Sequence, residues 1–302
     1  MQKEDYIVQK INISLKKIPL IKEPIALCLG NFDGLHLGHQ RLIKEALLKE
    51  EISVAVLSFT NPLGEIISLR KATTLLTSID DRGEFLNKLG VSYLLTMEFN
   101  KELRDLKAID FIELILKKLN IQHIYVGRDY RFGKNIEGDL HLLRKHFPLT
   151  VLNLMEDNLG KISTSRIIEL IKNGQIAKAN ELLGRAYKIK GKVIKGFQKG
   201  RLIGYPTANL ELLAPYVLPL NGVYKTIAYL NGFPYLAITN VGVHPTLNKL
   251  ENPIIETHLL NYDKDTYEEV IELEFLSFLR EEKTFNSLKE LKEQISLDLK
   301  NF

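Results

Sequence analysis

The sequence of 302 residues contains one cysteine, little net charge and no long apolar run. The single cysteine, Cys28, excludes an internal disulfide, which fits a reducing compartment. No apolar run approaches the ~20 residues that a membrane-spanning helix needs. The first ten residues, MQKEDYIVQK, lack the apolar core of a secretory signal. We therefore expect a cytoplasmic protein without a membrane partner.

The charged residues are balanced and dispersed along the chain. Lys and Arg number 41 against 37 Asp and Glu, which gives a formal net charge of +4. Tails that bind nucleic acid are blocks of like charge, so we expect no nucleic-acid partner. Binding of oligonucleotides by lysines in the second half of the chain is a rival hypothesis, and salt-sensitive binding would identify it.

The first part of the chain has the sequence pattern of an α/β domain. The whole length is typical of about two domains. Up to residue 184, short apolar runs alternate with amphipathic helical patterns, which predicts a parallel sheet. Gly184 is a predicted helix C-cap and the predicted boundary, so the first domain is residues 1–184. Its predicted strands are Ile25–Leu29, Val54–Phe59, Tyr93–Met97 and Ile124–Gly127, and its predicted helices are Ile109–Leu119 and Ile167–Leu183, the latter interrupted at Asn173-Gly174.

Residues 185–302 have a different sequence pattern. Short strand patterns are separated by Gly, Pro and Asn, which predicts a small antiparallel barrel. A closing amphipathic helix is predicted from Leu288, with Ser287 as its cap. The predicted strands are Ala186–Val193, Gly222–Leu230, Tyr235–Val241, Ile254–Leu260 and Glu269–Phe278.

The segment GNFDGLHLGHQ, from Gly30 to Gln40, follows a buried strand pattern and opens a helical one. Helix N-termini expose unpaired N–H groups and attract anions, and glycines at 30, 34 and 38 let the backbone approach them. His36 and His39 face the same way if the helix begins by His36. The segment therefore predicts a phosphate site.

Other interpretations of the two histidines are solvated or capping side chains, or metal ligands. Zinc would need a third ligand, and the spacing is not HExxH, so metal binding ranks lower. The segment resembles the GxFDGxHxGH signature of the nucleotidyltransferase superfamily, which has a dinucleotide-binding-like sheet. That resemblance implies that the histidines stabilise charge while a nucleotide is transferred and pyrophosphate leaves.

The second domain has its own polar motif, GRLIGYPTANLEL, from Gly200 to Leu212. Thr207 and Asn209 offer hydroxyl and carboxamide oxygens, which suit Mg²⁺ carried by a nucleotide. The preceding GKVIKGFQKGR can wrap phosphates with backbone N–H groups and cations, or be a solvated turn, and it is no Walker loop. Its candidate residues are Gly191, Lys192, Gly196, Gly200 and Arg201.

GxPTAN resembles riboflavin kinase, and later stretches fit the same family: NGVYKTIAY, NVGVHPT, ETHLL and LREEKTF. In the first domain SFTNP, VGRDYRFGKN and STSRI also match. The chain thus resembles the prokaryotic bifunctional riboflavin kinase/FAD synthetases over nearly its whole length. That family phosphorylates riboflavin to FMN with Mg-ATP and then transfers AMP from a second ATP to FMN, giving FAD and pyrophosphate.

For the kinase reaction, the resemblance implies that Glu256 is the base and that Thr207 and Asn209 hold the metal. Without the resemblance, the simplest interpretation of Glu256 is a solvent-facing carboxylate on a strand with alternating burial. Arg280 and Phe285 are candidates for the flavin end of that site, or simply a charged loop before the last helix.

For adenylyl transfer, the resemblance assigns charge stabilisation to His36, His39 and Arg166, together with the helix N-terminus. Ser163 and Thr164 of STSRI read as a helix cap that also binds phosphate. Further candidate contacts for nucleotide or flavin are Gly30, Asn31, Phe32, Asp33, Gly34, Asp129 and Phe132.

Two motifs depart from the family pattern. Asn61-Pro62-Leu63-Gly64 stands where a proline-histidine-proline element is usual, and STSRI stands where SSTRI is usual. A second interpretation follows, in which the chain is a riboflavin kinase with a flavin-binding or regulatory first domain. Release of pyrophosphate from FMN and ATP would distinguish the two.

Overall fold

The structure, a computed structural model, describes residues 7–49, 51–62, 74–195, 205–243, 253–285 and 287–300. The chain forms two compact units, the first ending at Thr164 and the second beginning at Ser165. Within the described residues, no helix is long and apolar enough to cross a membrane.

The first unit is built on a six-stranded parallel sheet with the order β1-β4-β3-β2-β5-β6. The prediction of a parallel sheet is confirmed. The central β2 is entirely buried and alternates between two cores, with Leu27 in one and Cys28 in the other. Its strands are β1 Gln9–Asn12, β2 Ile25–Leu29, β3 Ser53–Phe59, β4 Tyr93–Met97, β5 Ile121–Gly127 and β6 Leu149–Leu152, followed by a two-stranded ribbon of β7 Glu156–Asp157 and β8 Gly160–Lys161.

Helices cover both faces of the sheet. The apolar stripe Leu42, Ile43 and Ala46 of α1 packs in the core that contains Cys28, as its helical spacing predicts. The helices are α1 Leu37–Leu47, α2 Ile79–Leu89, α3 Lys101–Arg104, α4 Ala108–Leu114 and α5 Leu140–Arg144, with 3₁₀ turns at Leu116–Lys118 and Lys134–Ile136. The helix predicted over Ile109–Leu119 is shorter, because Ile115 leaves regular helical geometry and a 3₁₀ turn follows.

The second unit is a closed antiparallel barrel with the order β10-β13-β12-β11-β14-β9. The barrel and its closing helix were predicted, and Ser287 Oγ accepts a hydrogen bond from Glu290 N at the start of that helix. The elements of this unit are α6 Thr164–Lys172, α7 Ile176–Leu183, β9 Tyr187–Ile194, β10 Ala208–Leu212, β11 Gly222–Leu230, β12 Phe233–Val243, β13 Pro253–Leu259, β14 Val270–Arg280 and α8 Leu288–Lys300.

Helix α7 packs against β9 and β14, which explains why the second unit begins before Gly184. The side chain of Asn180 donates to Phe275 O at 2.8 Å and accepts from Tyr187 N at 2.7 Å. Gly184 caps the helix in the left-handed conformation with φ +69°, the predicted role of this glycine. The compact unit therefore starts twenty residues before residue 185, where the second domain was predicted to begin after the C-cap Gly184.

Candidate active sites

The histidine segment forms the turn between β2 and α1, at the carboxyl edge of the parallel sheet. Ligands of open α/β sheets bind at this edge. His36 is the N-cap residue of α1 and its side chain makes no capping hydrogen bond, while the first turn contains no acidic residue. The N–H groups and the positive dipole end of α1 are thus compatible with an anion.

The rings of His36 and His39 stack with centroids 3.7 Å apart and planes 19° apart. A Cβ at Gly38 would lie 3.1 Å from the His36 ring, so a glycine leaves room for the ring over the first turn. Burial, followed by the positive charges of His36, Arg82 and Lys161, lowers the pKa of His39 well below its usual value. His39 is therefore neutral near pH 7.

Two buried polar atoms of this turn have no hydrogen-bond partner among the described residues: Asn31 Oδ1 and His39 Nδ1. Buried polar atoms are nearly always satisfied, and exceptions call for a specific explanation. A bound ligand supplies such an explanation here, because the turn lies at the edge where the sheet binds ligands.

The turn has an unusual backbone. Phe32 and Leu35 have φ of 55° and 44°, in the left-handed region that non-glycine residues rarely adopt, and Gly34 has φ of 77°. Such conformations persist when the surroundings hold them, and they cluster at functional sites. Phe32 is buried and its ring centroid lies 5.0 Å from that of His39, so it supports the ring.

The carboxylate of Asp33 is fully occupied by protein donors. It accepts from Leu76 N at 3.1 Å, from Thr77 N at 3.0 Å and Oγ1 at 3.1 Å, and from Arg82 Nη2 at 3.1 Å. Asp33 is 3% exposed and Arg82 is completely buried. Asp33 was predicted to contact the nucleotide. In the structure its carboxylate instead holds the turn in place through these four hydrogen bonds.

Arg82 and Thr77 are site residues that sequence reasoning missed. The sequence carries a recognisable signal for the start of α2, because Ser78 and Asp81 form a capping box. Nothing in the local sequence distinguishes a buried arginine from a solvated one. Its burial follows from its position on the face of α2 that also buries Gly83 and Leu86.

The STSRI segment reaches the same turn through Thr164, whose hydroxyl donates to Asp33 O at 3.1 Å. Ser163 precedes it and is partly buried. Arg166 lies in the first turn of α6 and belongs to the second compact unit. Its action on phosphate stays a prediction.

The remaining candidates of the first unit make contacts within the protein. Asp129 forms an ion pair with Lys161 of β8. Phe132 is buried, with its ring centroid 5.6 Å from that of Phe111, so it is a core residue. In the altered family motif, the Asn61 side chain exchanges two hydrogen bonds with the backbone of Phe99, at 2.8 and 2.9 Å; Leu63 and Gly64 lie outside the described residues.

In the barrel, Asn209 of β10 and Asn240 of β12 are both directly opposite Glu256 of β13. The next residue, Thr257, is completely buried, whereas these three side chains are partly exposed. Since residues alternate across a strand, the three share the outer face of the barrel. The structure thus brings the predicted base next to the predicted metal ligand.

Thr207 lies two residues before Asn209 and lines a cavity of about 120 Å³ together with Ala208, Thr257 and the loop Tyr262–Tyr267. Hydroxyl and carboxamide oxygens beside a carboxylate are the hard donors that Mg²⁺ prefers, so this donor set fits a magnesium nucleotide. In the described part of the chain, no group of three or more His, Cys, Asp or Glu side chains could hold a metal by itself.

The Gly- and Lys-rich candidates are only partly described. Gly191 and Lys192 lie within β9 rather than in a turn. A Cβ at Gly191 would lie 2.8 Å from Leu210 Cβ, so glycine is needed for the approach of β10. Lys192 forms an ion pair with Glu268, which raises its pKa. Gly196, Gly200 and Arg201 lie outside the described residues.

Arg280, at the end of β14, is held by the C-terminal helix. Its Nη2 and Nε donate to the buried carboxylate of Asp298 at 2.8 and 2.9 Å. Its guanidinium carbon lies 5.9 Å from the centroid of the Phe285 ring. The two residues predicted at the flavin end are therefore neighbours, and Asp298 fixes the arginine.

A parallel α/β unit whose β2–α1 turn is compatible with an anion, followed by a closed barrel with a Thr-Ala-Asn motif, is the arrangement expected of a nucleotidyltransferase joined to a kinase-type barrel. Residues 18–166 match the FAD synthetase family and residues 183–302 match the riboflavin kinase family. Both matches agree with the motifs on which the resemblance was based.

Relatives of known name extend along the whole chain. A bifunctional riboflavin kinase/FMN adenylyltransferase of Bacillus subtilis is 35% identical over 92% of both chains. One from Escherichia coli is 34% identical over 92% of this chain and 91% of its own. A solved structure from Streptococcus pneumoniae, described as a macrolide-efflux protein, covers 96% of this chain and 97% of its own with 29% identity and a TM-score of 0.90.

The chain belongs to the bifunctional riboflavin kinase/FMN adenylyltransferase family. It carries both enzyme domains, and their activities use riboflavin, FMN and ATP. The comparisons support this two-activity interpretation and not the single-activity alternative.

Proposed function

We propose that adenylyl transfer takes place at the turn between β2 and α1, and riboflavin phosphorylation beside Glu256 on the outer face of the barrel. The observation that carries the first assignment is the stacked pair His36 and His39 at an uncapped helix N-terminus. Register carries the second, since Asn209 and Glu256 are direct neighbours across two strands.

In the kinase reaction, the 5′-hydroxyl of the ribityl chain attacks the γ-phosphorus of ATP, and ADP leaves. Glu256 accepts the proton of that hydroxyl. Thr207 and Asn209 would hold Mg²⁺, which would supply positive charge to neutralise the ATP phosphates. The flavin end of riboflavin lies against Arg280 and Phe285, with Asp298 keeping the guanidinium in place.

In the second reaction, a phosphate oxygen of FMN attacks the α-phosphorus of another ATP, and pyrophosphate leaves. The protein forms no bond to phosphorus and acts by positioning and by neutralising developing charge. His36, His39 and the N–H groups of α1 face the phosphates, with Arg166 as a further cation. The same site uses Asn31 and the glycines of the turn, with Ser163, Thr164 and Asp129 at its edge.

We further propose a functional boundary at Gly184, since the kinase motifs all lie beyond it. Gly191, Lys192, Gly196, Gly200 and Arg201 are assigned to the phosphates of the kinase nucleotide. Phe32, Asp33 and Phe132 act by holding the first site, because all three are buried. The enzyme is proposed to work in the cytoplasm on small molecules, without a nucleic-acid or membrane partner.

A single time course tests the proposed function. The full chain is incubated with riboflavin, ATP and MgCl₂, while FMN, FAD and pyrophosphate are followed by chromatography. FMN should rise first, and FAD and pyrophosphate should follow in equal amounts. FMN that accumulates without pyrophosphate would instead identify a kinase with a flavin-binding first domain.

A further inference from the structure

Arg82 of α2 is completely buried and uses all five of its N–H donors. Nε donates to Thr77 Oγ1 at 3.1 Å. Nη1 donates to Ser58 Oγ and Phe59 O, both at 2.7 Å. Nη2 donates to Asp33 Oδ1 at 3.1 Å and Thr77 O at 3.0 Å. The guanidinium therefore joins the histidine turn, the end of β3 and the segment before α2.

Two hydroxyl partners of Arg82 make further hydrogen bonds to the histidine turn. Ser58 Oγ, which accepts from Arg82, donates to Asn31 O at 2.7 Å. Thr77 Oγ1, which also accepts from Arg82, accepts from Gly34 N at 2.9 Å. These bonds therefore fix the turn at three residues, Asn31, Asp33 and Gly34.

A buried ion pair of this kind is a poor way to gain stability. Removing two charges from water costs about as much as their attraction returns, and an apolar replacement of equal volume is often as stable. Leu86, one turn further along α2, is part of the buried core, so the same helix face already accommodates an apolar side chain. The planar guanidinium fork holds five N–H donors in fixed directions, whereas the ammonium group of a lysine does not.

The fixed turn carries the ring of His39. Phe32 precedes Asp33 in the chain and has a left-handed backbone, and its ring centroid lies 5.0 Å from that of His39. The positive charge of Arg82 also acts on His39, beside those of His36 and Lys161. Arg82 therefore affects the position of the His39 ring through packing and its pKa through charge. Because Arg82 is completely buried, it does so without touching substrate.

We propose that Arg82 is a positioning residue for adenylyl transfer: its guanidinium fixes the turn from Asn31 to Leu35 and thereby the histidine pair. This rests on the proposed function of the first unit. Misplacement of catalytic groups by about 1 Å can cost 10²-fold in rate. Loss of the fork should accordingly lower kcat for FAD formation while the KM for ATP changes little.

The test uses Arg82→Lys and Arg82→Gln in the full chain. Both should lower kcat for conversion of FMN to FAD by about 10²-fold, with riboflavin phosphorylation as the internal control. Arg82→Gln should also raise the pKa of His39, whereas Arg82→Lys retains the charge and should leave it unchanged. Arg104→Lys is the matched control, because Arg104 is partly exposed and its side chain pairs with its neighbour Asp105.

His39→Ala, measured alongside, separates the two hypotheses. If His39→Ala keeps parental FAD formation, the proposed site is wrong. If His39→Ala is impaired while folded Arg82→Lys retains the parental kcat, the positioning role is wrong. Should the Arg82 variants not fold, Ser58→Ala removes one acceptor of the fork and the bond to Asn31; a lowered kcat supports the proposal, and an unchanged kcat contradicts it.

Discussion

The imidazole rings of His36 and His39 lie face to face with centroids 3.7 Å apart at the first turn of α1. A proton on either ring opposes a second proton on the other, and the dipole of the helix N-terminus opposes both. An anion at this turn would therefore favour the protonated form of His39, whose pKa is otherwise lowered.

This relationship predicts the titration of His39. Because its pKa is lowered in the folded chain, NMR of the labelled ring should show the neutral form through pH 6.5. ATP should raise the pKa, since an anion favours the charged form. Protonation of the unfolded chain near pH 6.5 also means that the free energy of unfolding decreases as the pH falls below that value.

His39→Asn identifies the resonance and serves as its control. The decrease in stability between pH 7 and pH 5 should be smaller in this variant than in the parent. A ligand-free His39 that titrates at its ordinary value, with no response to ATP, would mean that the ring is not in the environment described above.

We predict that His36→Ala and His39→Ala each lower FAD formation from FMN by about 10²-fold, because loss of one preorganised group commonly costs ~3 kcal/mol. Riboflavin phosphorylation by the same variants should be nearly parental, since the kinase motifs lie in the other compact unit. Initial rates of both reactions are measured on one preparation. Parental FAD formation in either variant would remove that histidine from the mechanism.

The turn that carries these histidines was predictable because its signals are local. Five apolar residues, Ile25–Leu29, end at a glycine, and the stripe of α1 starts twelve residues after Gly30. Apolar spacing was less informative at Ile115, which remains buried whether the segment is α-helical or 3₁₀. The short strand β10 was missed, because a five-residue alternation that begins two residues after Pro206 resembles a turn.

The support of the site was not predictable from the sequence. Arg82 lies 49 positions from Asp33 along the chain, and their pairing depends on how α2 packs against the sheet, where it contacts β4. Likewise, the predicted helix C-cap suggested a boundary at Gly184, whereas Asn180 of α7 makes hydrogen bonds to Phe275 of β14 and Tyr187 of β9 in the barrel. Long-range packing decides both features, and a motif does not encode it.

Asn209 and Glu256, neighbours in the barrel, should give different defects when changed. Asn209→Ala removes an oxygen ligand and should weaken productive use of Mg-ATP. Glu256→Gln keeps the shape, removes the base and should lower the kinase rate by about 10²- to 10⁴-fold.

Calorimetry of Mg-ATP binding separates the two effects. Affinity should be nearly parental for Glu256→Gln and reduced for Asn209→Ala, while FMN adenylylation is retained in both. Glu211→Gln, on the exposed side of β10, is the matched control. A parental kinase rate in Glu256→Gln would show that this carboxylate is not the base and is an ordinary solvent-facing residue of the strand.

The last prediction concerns the fragment needed for kinase activity. A chain of residues 165–302 should fold and convert riboflavin to FMN, whereas 185–302 should be much less stable. The shorter fragment lacks α6 and α7, and three large side chains that α7 buries, Ile176, Leu182 and Leu183, each contribute about 1.5–3 kcal/mol. That sum is comparable to the ~5–15 kcal/mol of a whole domain.

Thermal unfolding and kinase assays of both fragments check this. The midpoint of 185–302 should lie about 10 °C or more below that of 165–302, and neither fragment should make FAD. Asn180→Ala in the longer fragment is an intermediate case, because it removes only the hydrogen bonds to Phe275 and Tyr187. Equal midpoints for the two fragments would show that α7 adds nothing to the barrel, and that the boundary at Gly184 is structural as well as functional.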